Sequence, residues 1–127
     1  MNYLFDTNII IAFLNNNQKV VELIKNLSVV KVSAITVGEM FFGAKNSINY
    51  SKNLKLYQEF FQNCEILEIS QRTADYYSTL KIELKKLGKP IPENDFWIAA
   101  NAKENNLTII TKDKHLLINE FIDSIEI

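Results

Sequence analysis

Asn2-Tyr3-Leu4-Phe5-Asp6-Thr7-Asn8-Ile9 opens the chain with a strand that runs straight into a helix. Asn2 to Phe5 is short, aromatic and aliphatic, which suits a strand. Asp6-Thr7-Asn8 supplies residues that cap helices, and Ile9 to Leu14 can carry the helix that follows. The same alternation continues along the chain. After Asn15-Asn16-Asn17, a loop signal, Lys19 to Leu27 places Val20, Val21, Leu23, Ile24 and Leu27 at helical spacing. Val29 to Ser33 predicts a second strand, Thr36 to Lys45 a helix, and Asn53 to Gln62 another. Glu65 to Ile69 alternates as a strand. Ser70 can cap a helix reaching about Leu87, which Gly88 closes. Pro90-Ile91-Pro92 must be extended. Asn94 or Asp95 then opens a helix through Asn105, Leu107 to Ile110 predicts a strand, Lys112 to Phe121 a short, mostly helical stretch, and Ser124 to Ile127 a last strand. Strands alternating with helices predict an α/β fold with a mainly parallel sheet covered on both faces.

Composition narrows the chemistry. The 127 residues fit one domain, 1–127, and no internal boundary or repeat shows. Apolar residues make up 47% and charged residues 23%, which argues against disorder. The net charge of −1 provides no global basic field for nucleic acid. One cysteine, Cys64, excludes a disulfide framework and a multi-thiolate zinc site; one histidine, His115, excludes a two-histidine metal site. No apolar run approaches the ~20 residues of a membrane span. Asp6 comes too early for a signal peptide, so a cytoplasmic protein is expected.

Ligands in open α/β sheets gather beyond the carboxyl ends of the strands. Asp6 follows the first strand, and Asp113 lies just past Leu107 to Ile110. Asp95 opens the helix after the proline segment, and Glu39 sits inside the apolar stretch Ile35 to Ala44. Each has an ordinary reading. Asp6 and Asp95 can cap helices, Asp113 can be a turn residue paired with Lys112 or Lys114, and Glu39 can face solvent. Taken together they mean more. Four converging carboxylates repel one another unless a cation neutralises them. Oxygen donors without histidine or cysteine favour Mg²⁺ or Mn²⁺ over zinc. Such a site suits metal-assisted phosphodiester hydrolysis.

Four stretches resemble the signatures of PIN-domain ribonucleases: Phe5-Asp6-Thr7-Asn8-Ile9, Thr36 to Ala44, Asn94-Asp95-Phe96-Trp97-Ile98-Ala99-Ala100 and Ile110-Thr111-Lys112-Asp113. The likeness is strongest to VapC toxins, and it spans the whole chain in order. It implies a three-layer α/β/α sandwich and a Mg²⁺- or Mn²⁺-dependent endoribonuclease. Asp6, Glu39, Asp95 and Asp113 match the family's acids. The resemblance implies that Asp6 and Asp95 contact metal most directly, while Glu39 and Asp113 ligate through water or complete a second site. Thr7, Asn8, Asn94 and Thr111 match supporting polar positions. Where some members carry a further acid, Ile98 stands here, which leaves open whether one metal or two are held. The resemblance also implies an RNA substrate, a VapB-like antitoxin and a homodimer.

With a net charge of −1, RNA contacts must come from local basic groups. Lys81, Lys85, Lys86 and Lys89 lead into the Pro90 to Asp95 segment, and Lys112 and Lys114 flank Asp113. They form a candidate RNA-facing rim or simply a solvated helix face. His115 reads as a surface or helix-start residue, and Cys64 as a small buried hydrophobe. Of Phe96 and Trp97, one is expected in the core, with base stacking as the other role; Tyr57, Phe60 and Phe61 are also expected there. Other classes fit less well. A phosphoacceptor receiver domain wants adjacent acids after the first strand, where Thr7-Asn8 follow Asp6, and an aspartate ending the central strand. A haloacid-type phosphatase wants an acid at Asn8. No glycine-rich phosphate loop exists. A PIN nuclease of RNA processing and an inactive partner-binding module remain compatible with the same residues.

Overall fold

The computed structural model describes residues 2–117 and 119–127; Met1 and Ile118, at the chain start and within the last predicted helix, lie outside them. The strands are β1 (Tyr3–Phe5), β2 (Val30–Ser33), β3 (Cys64–Leu67), β4 (Thr108–Ile110) and β5 (Ser124–Ile125). The helices are α1 (Thr7–Leu14), α2 (Gln18–Lys25), α3 (Ala34–Lys45), α4 (Tyr50–Gln62), α5 (Gln71–Lys86), α6 (Glu93–Glu104) and α7 (Lys114–Leu117). The strands form one sheet in the order β3-β2-β1-β4-β5, and every adjacent pair is parallel. The chain winds outward from β1 in both directions, so the order reverses at β1.

Alternation along the central strands builds two cores. Leu4 and Ile109 join Leu80, Leu84, Phe96, Ile98 and Ala99 on one face. Phe5 and Ile110 join Ile9, Ile10, Val32, Met40 and Phe61 on the other. Neighbouring residues point to opposite faces, and both faces of a parallel sheet are buried under helices. This is the expected α/β/α sandwich.

Caps set most helix starts. Asn17 and Ser33 accept from backbone amides at the heads of α2 and α3. Ser70 and Thr73 form a reciprocal capping box on α5. Thr73, fully buried, also donates to Glu104 Oε1 at 2.6 Å, fastening α5 to the end of α6. Gly88 takes φ +66° past the end of α5, a conformation that favours glycine.

Several boundaries depart from expectation. Helix α1 begins at Thr7, α3 at Ala34 and α4 at Tyr50, each earlier than apolar spacing indicates. Strand β3 starts at Cys64 and stops at Leu67, because Glu68 turns its carbonyl toward Asn101. Helix α6 opens at Glu93 after Pro92, so neither Asn94 nor Asp95 caps it. Among the described residues the last helix covers Lys114–Leu117, begun by Asp113 rather than Lys112, and β5 ends at Ile125. Cys64 is half-buried, with Sγ 3.4 Å from the Phe60 carbonyl, and its burial raises the thiol to about 11. Phe61 is buried, while Tyr57 and Phe60 are only partly so. Phe96 is core, and Trp97 stacks on Tyr77 at 3.8 Å between ring centroids.

Candidate active site

The reversal at β1 places the carboxyl ends of β1, β2 and β4 around one edge. Asp6 follows β1 directly. Its backbone amide extends the ladder to the Ile110 carbonyl at 3.0 Å, so the sheet fixes its position. The residue is only 5% exposed. Oδ1 accepts from the Thr7 amide at 2.9 Å; Oδ2 accepts from Thr111 Oγ1 at 2.6 Å and Asn8 Nδ2 at 3.2 Å. The capping reading of Asp6 therefore holds on Oδ1, while Oδ2 is engaged by Thr111 and Asn8.

Asn8 and Thr111 lock the β1 and β4 ends together. Asn8 Oδ1 accepts from the Lys112 amide at 3.0 Å, and Thr111 Oγ1 accepts from the Asp113 amide at 2.9 Å. Asp113 Oδ1 in turn accepts from the His115 amide at 2.9 Å and stands 3.1 Å from His115 Nδ1. Its partner is thus His115, not Lys112 or Lys114.

Glu39 is half-buried on α3, without the full exposure that its ordinary reading would give it. Thr7 Oγ1 donates to its Oε1 at 3.1 Å, and Asn94 Nδ2 donates to its Oε2 at 3.3 Å. Asp95, in the first turn of α6, is 8% exposed. Burial, followed by the charges of Asp113 and Asp6, pushes its carboxyl up to about 7; Glu39 adds to the same effect. Burial also raises Asp6, against the lowering effect of its hydrogen bonds. The structure therefore brings Asp6, Glu39, Asp95 and Asp113 into one electrostatic neighbourhood.

Among the described residues no lysine or arginine pairs with any of the four. Nor do three of the acids close on one point as a ready-made cage. The donor set is all oxygen, and burial beside like charge raises Asp95 and Asp6. Both facts fit a hard divalent ion, which typically takes one or two carboxylates and keeps several waters. A cleft of about 580 Å³ lined by Ala34, Ile35, Gly38, Glu39, Phe42 and Asn94 adjoins the acids.

The candidate basic rim is incomplete. Lys81 is drawn into an ion pair with Glu93 at 2.8 Å and a hydrogen bond from its Nζ to Tyr77 at 2.8 Å. Lys85, Lys86, Lys89, Lys112 and Lys114 have exposed side chains. Sequence reasoning missed Ser33 and Asn101, both fully buried and bonded to each other at 2.5 Å. The signal was present as an asparagine inside the apolar run Ala99 to Ala102.

The PIN domain family model matches residues 3–120. A Haemophilus influenzae protein named Ribonuclease VapC2 is 32% identical over 117 residues, covering 89% of this chain and 87% of its own length. A Shigella flexneri protein named tRNA(fMet)-specific endonuclease VapC is 28% identical, covering 89% and 87%. Among solved structures, VapBC2 from Rickettsia felis, bound to a DNA fragment from its promoter, superposes with a TM-score of 0.91 at 25% identity, covering 100% of this chain and 99% of that one. With the four acids at the carboxyl edge of a parallel sheet, these matches make the chain a member of the PIN domain family, among the VapC ribonucleases.

Proposed function

We propose that this chain is a metal-dependent endoribonuclease, the toxin of a toxin–antitoxin pair, with Asp6, Glu39, Asp95 and Asp113 as its catalytic acids. The observation that supports this reading is the gathering of four carboxylates around a buried, hydrogen-bonded Asp6 with no lysine or arginine paired to them among the described residues. Residues 1–127 act as one nuclease domain in this reading, and the substrate is cytoplasmic RNA.

Asp6 and Asp95 would hold Mg²⁺ or Mn²⁺ most directly, and Glu39 and Asp113 would complete the set. A bound divalent cation supplies Lewis acidity at the phosphate and lowers the pKa of the attacking water. The chain's own residues prepare the site. Thr111 and Asn8 hold Asp6 in one rotamer, and Thr7 and Asn94 hold Glu39 by both oxygens. Such supporting bonds orient carboxylates toward a common ligand. Lys86, Lys89, Lys112 and Lys114 would steer the RNA backbone. A VapB-like antitoxin is the partner, as the VapBC neighbours support; a cationic side chain from it would suit the acids. A homodimer is part of the same proposal. Transfer RNA is the first substrate to try, given the name of the Shigella relative.

The test is cleavage of transfer RNA and total RNA by antitoxin-free protein with Mg²⁺, Mn²⁺ or EDTA, beside Asp6→Asn. Cleavage is expected only with metal, and Asp6→Asn is expected to lose about a hundredfold or more of the rate. A folded protein that cleaves neither RNA with either metal would refute the activity.

A further inference from the structure

We propose that Ser33 and Asn101 form a buried clamp that sets the register of α3 against α6, and so positions Glu39 beside Asn94 and Asp95. The consequence for catalysis rests on the nuclease reading; the geometry does not.

Ser33 ends β2 and caps α3. Its Oγ accepts from the Ile35 amide at 3.1 Å and donates to Asn101 Oδ1 at 2.5 Å. Asn101 lies in the interior of α6, and its Nδ2 donates to the Glu68 carbonyl beyond β3 at 3.1 Å. Both residues are 0% exposed. One amide thus ties three elements together: the head of α3, the middle of α6 and the exit of β3. Acceptor and donor ends are both engaged, which admits only one orientation of the amide.

The clamp sits at matched distances from the acids. Glu39 is six residues after Ser33 on α3, and Asp95 is six residues before Asn101 on α6. Each span is about 9 Å of helix. At the far end Asn94 donates to Glu39 at 3.3 Å. The helices are therefore pinned at both ends of the segment that carries the acids, and the buried pin is the one shielded from water. Around Asn101 the core is Ile98, Ala99, Ala100 and Ala102. Small, smooth side chains tolerate sliding, whereas a satisfied polar pair buried among them specifies one register. A slip of one residue would move an acid by about 1.5 Å and swing it about 100° round its helix. Among the described residues the bonds of Ser33 and Asn101 go to groups other than the four carboxylates, so both are positioning residues.

The experiment compares wild type, Ser33→Ala, Asn101→Leu and the double variant by melting temperature, by kcat and KM on a cleaved RNA, and by the NMR signal of the Asn94 side-chain amide without metal. The signal is assigned by its loss in Asn94→Ala. The double variant removes the paired side chains together, but it also loses the Ser33 cap on α3 and the bond to the Glu68 carbonyl. It is therefore expected to fold and to melt about 10 °C below wild type. Its kcat is expected to fall about tenfold with KM changed less than about twofold, the pattern of a lost transition-state contact. Its Asn94 amide signal is expected to move toward the position of a free amide. Ser33→Ala gives the same two shifts in milder form and serves where the double variant fails to fold. A stable double variant with wild-type kcat and an unmoved Asn94 signal overturns the clamp. So does a kcat loss that disappears once each variant is assayed equally far below its melting temperature. If wild-type protein cleaves no RNA, the nuclease reading fails, and the Asn94 signal alone decides the clamp.

Discussion

Asp95 is the residue on which the crowding falls hardest. Its carboxyl is held up to about 7 in the folded chain against an ordinary 3.8, chiefly by burial and then by the charges of Asp113 and Asp6. Between those values the folded chain keeps a proton that the unfolded chain has lost. Stability contributed by this group therefore falls as pH rises from about 4 to about 7, and stays low above that. Asp95→Asn removes the effect. In EDTA the variant is expected to melt about 5 °C above wild type at pH 8 and to converge with it toward pH 4. A difference that stays constant across this range would assign the shift to something other than the carboxyl. A second residue-scale prediction concerns Thr36. Its hydroxyl is buried in α3 without a hydrogen-bond partner among the described residues. Thr36→Val keeps the shape and removes the unpaired group, so a gain of about 1 kcal/mol is expected in denaturant melts. A clear loss would mean that the hydroxyl is bonded in solution.

At the scale of elements, helices were legible where capping residues announced them. Ser70 and Gly88 bracket α5 as read from the chain, and Asp6 caps α1, though the helix starts two residues earlier than its apolar run suggests. The misses have local causes. Pro92 starts α6 through its fixed geometry rather than through a side-chain bond, so Asp95 falls inside the first turn. The end of the chain carries helical spacing for ten residues, but among the described residues the helix covers Lys114–Leu117: Asp113 starts it late, and Asn119 accepts from the Phe121 amide. The α5–α6 connection also decides which lysines are held and which are exposed. Lys81 is held by Glu93, while Lys86 and Lys89 are exposed. Lys86→Ala with Lys89→Ala is expected to weaken RNA binding about tenfold at low salt, and to make the salt dependence shallower by about 1.4 in logarithmic slope. Unchanged affinity and slope would assign these lysines to an ordinary solvated face.

The whole molecule explains why acids so far apart in sequence meet. The strand order reverses at β1, and the carboxyl ends beside that reversal carry Asp6, Asp113 and the head of α3. The parallel sheet and the four acids could be read from alternation, strand ends and motif likeness. The contacts that hold the acids could not, because periodicity does not report side-chain partners across 68 residues, as with Ser33 and Asn101. The price of the arrangement is like charge at close quarters, which a shared divalent cation would relieve in the proposed nuclease. Melting of wild type and Asp95→Asn at pH 8, with Mn²⁺ and with EDTA, measures this directly. In EDTA the variant is expected to be the more stable. With Mn²⁺ a hundredfold above its dissociation constant, wild type is expected to gain about 2.7 kcal/mol and overtake a variant that gains far less. A wild-type protein that is already the more stable in EDTA, and that gains nothing from Mn²⁺ or Mg²⁺, would contradict the account.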